Sequence, residues 1–150
     1  MKTKTIIELN QEDLVDLLCT ATYGSSWLDI TTGETSGVEL AEDDCLEDKW
    51  AKCLLAGHKV KCYDYYAEGE RYGSLGGVIK KDGTAVYFVG LEEIKKGLQK
   101  CADGRFEGDA SDQAWLRECY QHFVAREGDM DNPEAEALMQ VIMFNELIYG

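Results

Sequence analysis

The chain has 150 residues, 45% of them hydrophobic, with three Trp, eight Tyr and four Phe, a make-up that fits one folded domain with its own core and excludes a disordered chain. Its formal net charge of −14 excludes a protein that grips nucleic acid or an acidic membrane through its overall field. Met1-Lys2-Thr3-Lys4-Thr5 has charge but no long apolar stretch behind it, so neither a secretory signal nor a membrane span is expected, and the six cysteines are expected as thiols in a reducing cytoplasm.

The charge is laid out in blocks. Residues 8–48 hold twelve carboxylates and no Lys or Arg; residues 49–105 hold eleven basic and seven acidic residues; residues 106–150 hold ten acidic and two basic ones. With plus 2 from the first seven residues, the sums are −12, +4 and −8. Such a surface repels polyanions and attracts basic partners.

Residues 3–9 alternate enough, with Ile6, Ile7 and Leu9, to predict a short first strand. Asn10 then caps a helix that begins Gln11-Glu12-Asp13, puts Leu14, Val15, Leu17, Leu18 and Ala21 on one face, and ends near Gly24. Residues 25–30 read as an anchored loop or a short strand with Trp27 and Leu28 buried, and residues 31–37 as a loop or hairpin turn. A second helix is expected over residues 41–56, with Glu42, Asp43 and Asp44 in its first turn, Leu46, Trp50, Cys53 and Leu54 at helical spacing, and Gly57 closing it.

Residues 58–66 read as a strand, and residues 67–77, with four glycines, as an irregular loop. Val78-Ile79 and residues 85–89 flank Lys80-Lys81-Asp82-Gly83, whose Asp-Gly pair favours a hairpin turn and so a small antiparallel sheet. A third helix follows over residues 91–102, with Ile94 and Leu98 inward and Asp103-Gly104 stopping it. Ser111 or Asp109 caps a fourth, which carries Trp115, Leu116, Cys119, Tyr120 and Phe123. Asn132 and Pro133 then suit the start of a last helix in which Leu138, Met139, Val141, Ile142, Met143, Phe144, Leu147, Ile148 and Tyr149 leave no wide polar face. A helix apolar all round is a central one. The fold class read from this is α+β: a small, mainly antiparallel sheet covered by about five helices, the C-terminal one central, in a single domain over residues 1–150.

Four stretches carry a family resemblance: residues 6–14, residues 20–24 with Trp27 just after, residues 91–98, and the ending over residues 137–150. In these the chain resembles a family of small, uncharacterised proteins carried by phages and prophages of Gram-positive bacteria. The resemblance implies a mobile-element origin, and hence the cytoplasm of a bacterial host, with a strand and helix at the start, a sheet, and a closing helix ending in Tyr-Gly. It implies no activity, and Ser25-Ser26 stand where the family pattern has a Gly and an aromatic.

No catalytic motif is present. There is neither a phosphate-binding glycine loop nor a calcium loop, and Ser74 lacks the strand-to-helix context of an esterase nucleophile. No cofactor is predicted. A structural zinc site would have to draw on Cys53, His58, Cys62, Cys119 and His122, none of them in a Cys-x-x-Cys pair, and each cysteine falls on an apolar position where a thiol acts as a small hydrophobe.

The expected function is therefore binding, not catalysis. Glu34, Glu39, Glu42, Asp43, Asp44, Glu47 and Asp48 make a carboxylate array able to stand in for phosphates, so the expected partner is a basic, nucleic-acid-binding host defence effector, inhibited as by an anti-CRISPR protein, with no direct nucleic-acid or membrane contact. An alternative is a protein that sequesters a nucleotide signal in a pocket near residues 63–77, with Tyr63, Tyr66 and Tyr72 beside it and Lys80, Lys81 or Arg71 on its phosphates; another is a structural or regulatory phage protein, which could form a homodimer.

Overall fold

A computed structural model describes residues 7–66, 78–79, 83–125 and 130–149. In order, the elements are α1 (Gln11–Thr22), β1 (Leu28–Thr32), α2 (Leu46–Leu55), β2 (Val60–Asp64), β3 (Val78–Ile79), β4 (Ala85–Val89), α3 (Leu91–Asp103), α4 (Ala110–Ala125) and α5 (Asn132–Phe144). The strands form one antiparallel sheet in the order β1-β2-β4-β3. The architecture is the expected α+β one.

Period-two alternation gives the sheet two unlike faces. Leu28, Ile30, Val60, Cys62, Ala85, Tyr87 and Val89 point into the core, whereas Asp29, Thr31, Lys61, Tyr63 and Phe88 share the opposite face. Helices α1 and α2 pack on the inner face. Central α5 touches α1, α3 and α4, and ten of its residues are buried. Its last side chain, Phe144, meets Trp27 at 5.7 Å and Tyr87 at 5.4 Å between ring centroids, which ties the helical layer to the sheet.

Local chemistry explains the helix ends. Asn10 and Asp13 form a reciprocal capping box at α1, each side chain accepting the other's backbone N–H at 2.9 Å. Gly57, at φ +92°, turns the chain out of α2 while the N–H groups of Gly57 and His58 reach back to the carbonyls of Leu54 and Cys53, a Schellman closure. Asp109 caps α4 through a 2.8 Å bond from the Asp112 N–H.

Several boundaries differ from the sequence reading. Residues 7–9 are not part of the sheet, although Ile7 and Leu9 pack against the core, and residues 3–6 of the expected first strand lie outside the described residues. Thr31 and Thr32 belong to β1 and not to a loop. Helix α2 starts at Leu46, because Asp44 spends its carboxylate on the Ala41 N–H (2.8 Å) and holds residues 41–44 in a turn. The cap of α5 is Asp131, in a box with Glu134, which frees the Asn132 amide to reach the α1 carbonyls of Thr20 (2.8 Å) and Ala21 (3.3 Å), and that of Tyr23 (3.0 Å) just beyond them. The turn over residues 80–82 lies outside the described residues, but β3 and β4 are antiparallel as that turn requires.

Leu147, Ile148 and Tyr149 are not helical. Asn145 adopts a left-handed φ of 61°, ends α5, and sends the chain back along it. Buried Gln140 then behaves like a neighbouring strand: its Oε1 accepts the N–H groups of Ile148 and Tyr149, both at 2.8 Å, and its Nε2 donates to the Tyr149 carbonyl at 3.1 Å.

α3 and α5 meet at Gly97, where an added Cβ would lie 2.7 Å from the Cα of Ile142. No side-chain rotation relieves a clash with backbone, so Gly97→Ala is expected to cost ~1–3 kcal/mol or more in urea unfolding. An unchanged midpoint would show that the helices do not approach this closely.

Candidate functional site

Five residues of the acidic array sit on the connection between β1 and α2, and Glu47 and Asp48 in the first turn of α2. That connection leaves the sheet at Gly33, where a Cβ would fall 2.6 Å from the Lys59 carbonyl oxygen. It is held at mid-length by His58, whose Nε2 donates to the Ser36 carbonyl at 2.7 Å and so carries the proton. It is held at its end by Asp44, which receives Lys52 Nζ at 2.6 Å. The Lys52 bond, followed by that from the Ala41 N–H, keeps the Asp44 carboxyl below the usual carboxylate range.

The seven expected carboxylates therefore divide. Asp44 is a structural clamp, half-buried Asp48 accepts a bond from Cys45 Sγ at 3.2 Å, and Glu47 lies against Cys19 and Cys45. Glu34 is exposed and accepts Ser36 Oγ at 2.8 Å. Glu39, Glu42 and Asp43 are exposed and have no ion-pair partner among the described residues. Around them Asp43, Asp44 and Asp48 surround Lys52, and Asp16 of α1 joins Glu47 beside Cys19, so the negative surface spans α1, the connection and α2.

Of the residues expected for a nucleotide only Tyr63 and Tyr66 are among the described residues. Arg71, Tyr72, Lys80 and Lys81 lie outside the described residues. Tyr63 is on the outer sheet face, stacked 6.4 Å from Tyr65, whereas Tyr66 turns the other way toward Tyr149. A cleft of about 440 Å³ beside the outer face is lined by His58, Lys59, Lys61, Phe88 and Glu34, with Lys59 paired to Glu93 at 2.7 Å.

Among the described residues no group of three or more His, Cys, Asp or Glu is placed to share a metal ion. Cys53, Cys62 and Cys119 are buried in the core, His58 is turned to Ser36, and His122 Nδ1 pairs with Glu134 Oε2 while the other oxygen of Glu134 serves the α5 cap.

A larger cleft, of about 690 Å³, was not legible in the sequence. The turn after α1 contributes Trp27, the end of β2 contributes Tyr66, α4 contributes Asp112 and Trp115, α5 contributes Glu136, and the returning tail contributes Tyr149. Trp27 and Tyr149 have ring centroids 5.0 Å apart, and Tyr66 adds an edge contact to Tyr149 at 6.4 Å. The hydroxyl of Tyr149 is fixed by Asp64, lying 2.7 and 2.9 Å from its two carboxylate oxygens, and Asp64 is 1% exposed. Helical periodicity groups Trp115 with the core residues of α4, yet it is 39% exposed and faces this cleft.

Comparison of the chain with protein families, with curated proteins and with solved structures gives no match. Among the described residues no helix is long and apolar enough to cross a membrane.

The thiols give a direct check on this geometry. Burial pushes Cys62 and Cys119 up to about 12 and raises Cys101 as well, while Cys45, the exposed one, is raised chiefly by its contact with Glu47. At pH 8 a thiol reagent is expected to label Cys45 slowly, faster as pH rises toward its elevated pKa, and to reach Cys53, Cys62, Cys101 and Cys119 only on unfolding. Rapid native labelling of any of those four would contradict their placement.

Proposed function

We propose that the protein acts by binding, laying the carboxylates of the β1–α2 connection on a basic surface of a nucleic-acid-binding partner. The observation that carries this reading is that Glu39, Glu42 and Asp43 are exposed, without an ion-pair partner among the described residues, on a stretch, residues 33–45, that contains no Lys or Arg. Grooves that hold phosphates through Lys and Arg respond to negative charge in general, so a fixed carboxylate array competes with the backbone of DNA or RNA for them. The bonds that Asp44 and His58 make pin the connection at two points, which lowers the ordering entropy lost on binding.

The resemblance to phage-borne proteins makes a bacterial defence effector, inhibited in the manner of an anti-CRISPR protein, the partner class most worth testing. A second reading, a protein that sequesters a nucleotide signal, would draw on the cleft at Lys59, Lys61 and Phe88, the last 47% exposed. Nucleotide would then raise the melting temperature.

The test is a pull-down from lysate of a Gram-positive host, comparing the wild type with the triple variant Glu39→Lys, Glu42→Lys, Asp43→Lys. Capture of a nucleic-acid-binding protein that added duplex DNA or high salt displaces, and that the variant loses while keeping its melting temperature within a few degrees, is the expected result. Equal capture by the variant, or capture indifferent to DNA, would rule the reading out. Because Asp44 is a clamp, Asp44→Lys is expected to disorder the connection and is not a clean reversal.

A further inference from the structure

The cleft between α4, α5 and the returning tail has a composition that selects its ligand. Among the described residues its walls carry four aromatic side chains, Trp27, Tyr66, Trp115 and Tyr149, and two carboxylates, Asp112 and Glu136, with no Lys, Arg or His. Both carboxylates are half-buried, and neither has a cationic partner among the described residues. Asp112 is offered from the first turn of α4 and Glu136 from α5.

Each ligand class can be weighed against that lining. An anion would meet two negative groups in a chain already at −14. A neutral apolar ligand would cover the rings but strip water from both carboxylates and give nothing back. A bare divalent metal would prefer several converging oxygen donors, and no such group is present among the described residues. An organic cation satisfies both halves of the site: aromatic faces attract a diffuse positive charge, and the carboxylates accept its N–H groups. Of the organic cations a guanidinium fits best, because it is planar, stacks on rings and presents several N–H donors in its plane to more than one carboxylate.

We infer that this cleft is a binding site for a guanidinium group on an alkyl stem. The inference is independent of the acidic connection, which lies on other elements. The floor is rigid: Tyr149 is held at both ends of its residue, by Gln140 through the backbone and by Asp64 through the hydroxyl, and Trp27 packs against its ring at a tilt. A preorganised floor loses little freedom when the ligand arrives. Tyr66 and Trp115, 53% and 39% exposed, stand at the opening.

The test is a titration of the full chain with butylguanidinium at low salt, read by tryptophan fluorescence, since Trp27 and Trp115 line the cleft while Trp50 is buried on α2 away from it. Butylurea, the neutral isostere, is run beside it. Saturable binding of butylguanidinium, with Glu136→Gln weakening it about tenfold as expected for one lost charge-assisted bond, is the predicted outcome. Circular dichroism establishes that the variant is folded, and Asp112→Asn gives a second reading if it is not. Absence of saturation, equal binding of butylurea, or unchanged affinity in a folded Glu136→Gln protein would overturn the inference. The source of the group is separated by two further arms: tighter binding of an end-capped arginine tripeptide assigns it to a polypeptide side chain, and tighter binding of agmatine to a free guanidine.

Discussion

A helix buried on almost every side sets the terms for the rest of this protein. α5 buries ten of its thirteen residues, so helices must flank it and every polar atom it carries inward must find a partner within the fold. α1, α3 and α4 supply the cover, and Gly97 lets α3 come close enough to touch the backbone of α5. The buried polar exceptions are each absorbed: Glu134 into the cap and the His122 pair, Gln140 into the returning tail. What looks at first like an apolar rod is therefore held in one orientation by its few hydrogen-bonding side chains, since apolar contact alone is non-directional.

From that arrangement the proposed binding surfaces follow. Gln140 draws residues 148 and 149 against α5, the tail carries Tyr149 across to Asp64 on β2, and the ring of Tyr149 becomes the floor shared by Trp27, Tyr66 and Phe144. The cleft proposed for a guanidinium is thus built by the same bonds that close the chain over its core. The acidic connection sits apart from it, held by Lys52 of α2 and by His58 just beyond that helix. Both surfaces are negative and both would favour a basic partner, one through a broad field and the other through a single enclosed group.

The sequence conveyed the elements better than their joins. Periodicity placed α1, α3, α4 and the body of α5, and short-range chemistry placed their stops, as at Gly57 and Gly104, because caps and apolar spacing are local properties. The start of α2 was misread since Glu42, Asp43 and Asp44 suit a helix N-terminus by charge, and nothing in the order of residues reveals that Asp44 prefers the Ala41 N–H and the Lys52 ammonium. The end of α5 was misread because Leu147, Ile148 and Tyr149 continue the apolar run, while the left-handed turn at Asn145 and its 2.9 Å bond from Lys100 depend on a residue 45 positions away. The candidate acidic residues were legible as a charge block, but which of them are free needed side-chain partners. The aromatic cleft was not legible at all, being assembled from five separate segments.

The central claim is that the tail latches onto the core through Asp64, and the Tyr149→Phe substitution tests it most directly because it removes one oxygen and leaves the ring. The account predicts a loss of ~1–3 kcal/mol in unfolding free energy, the size expected when a buried acceptor loses its donor, together with a changed Trp27 emission as the neighbouring ring relaxes. Unfolding and emission indistinguishable from the wild type would mean that the hydroxyl does not hold the tail in place, and that neither the closed core nor the cleft depends on it.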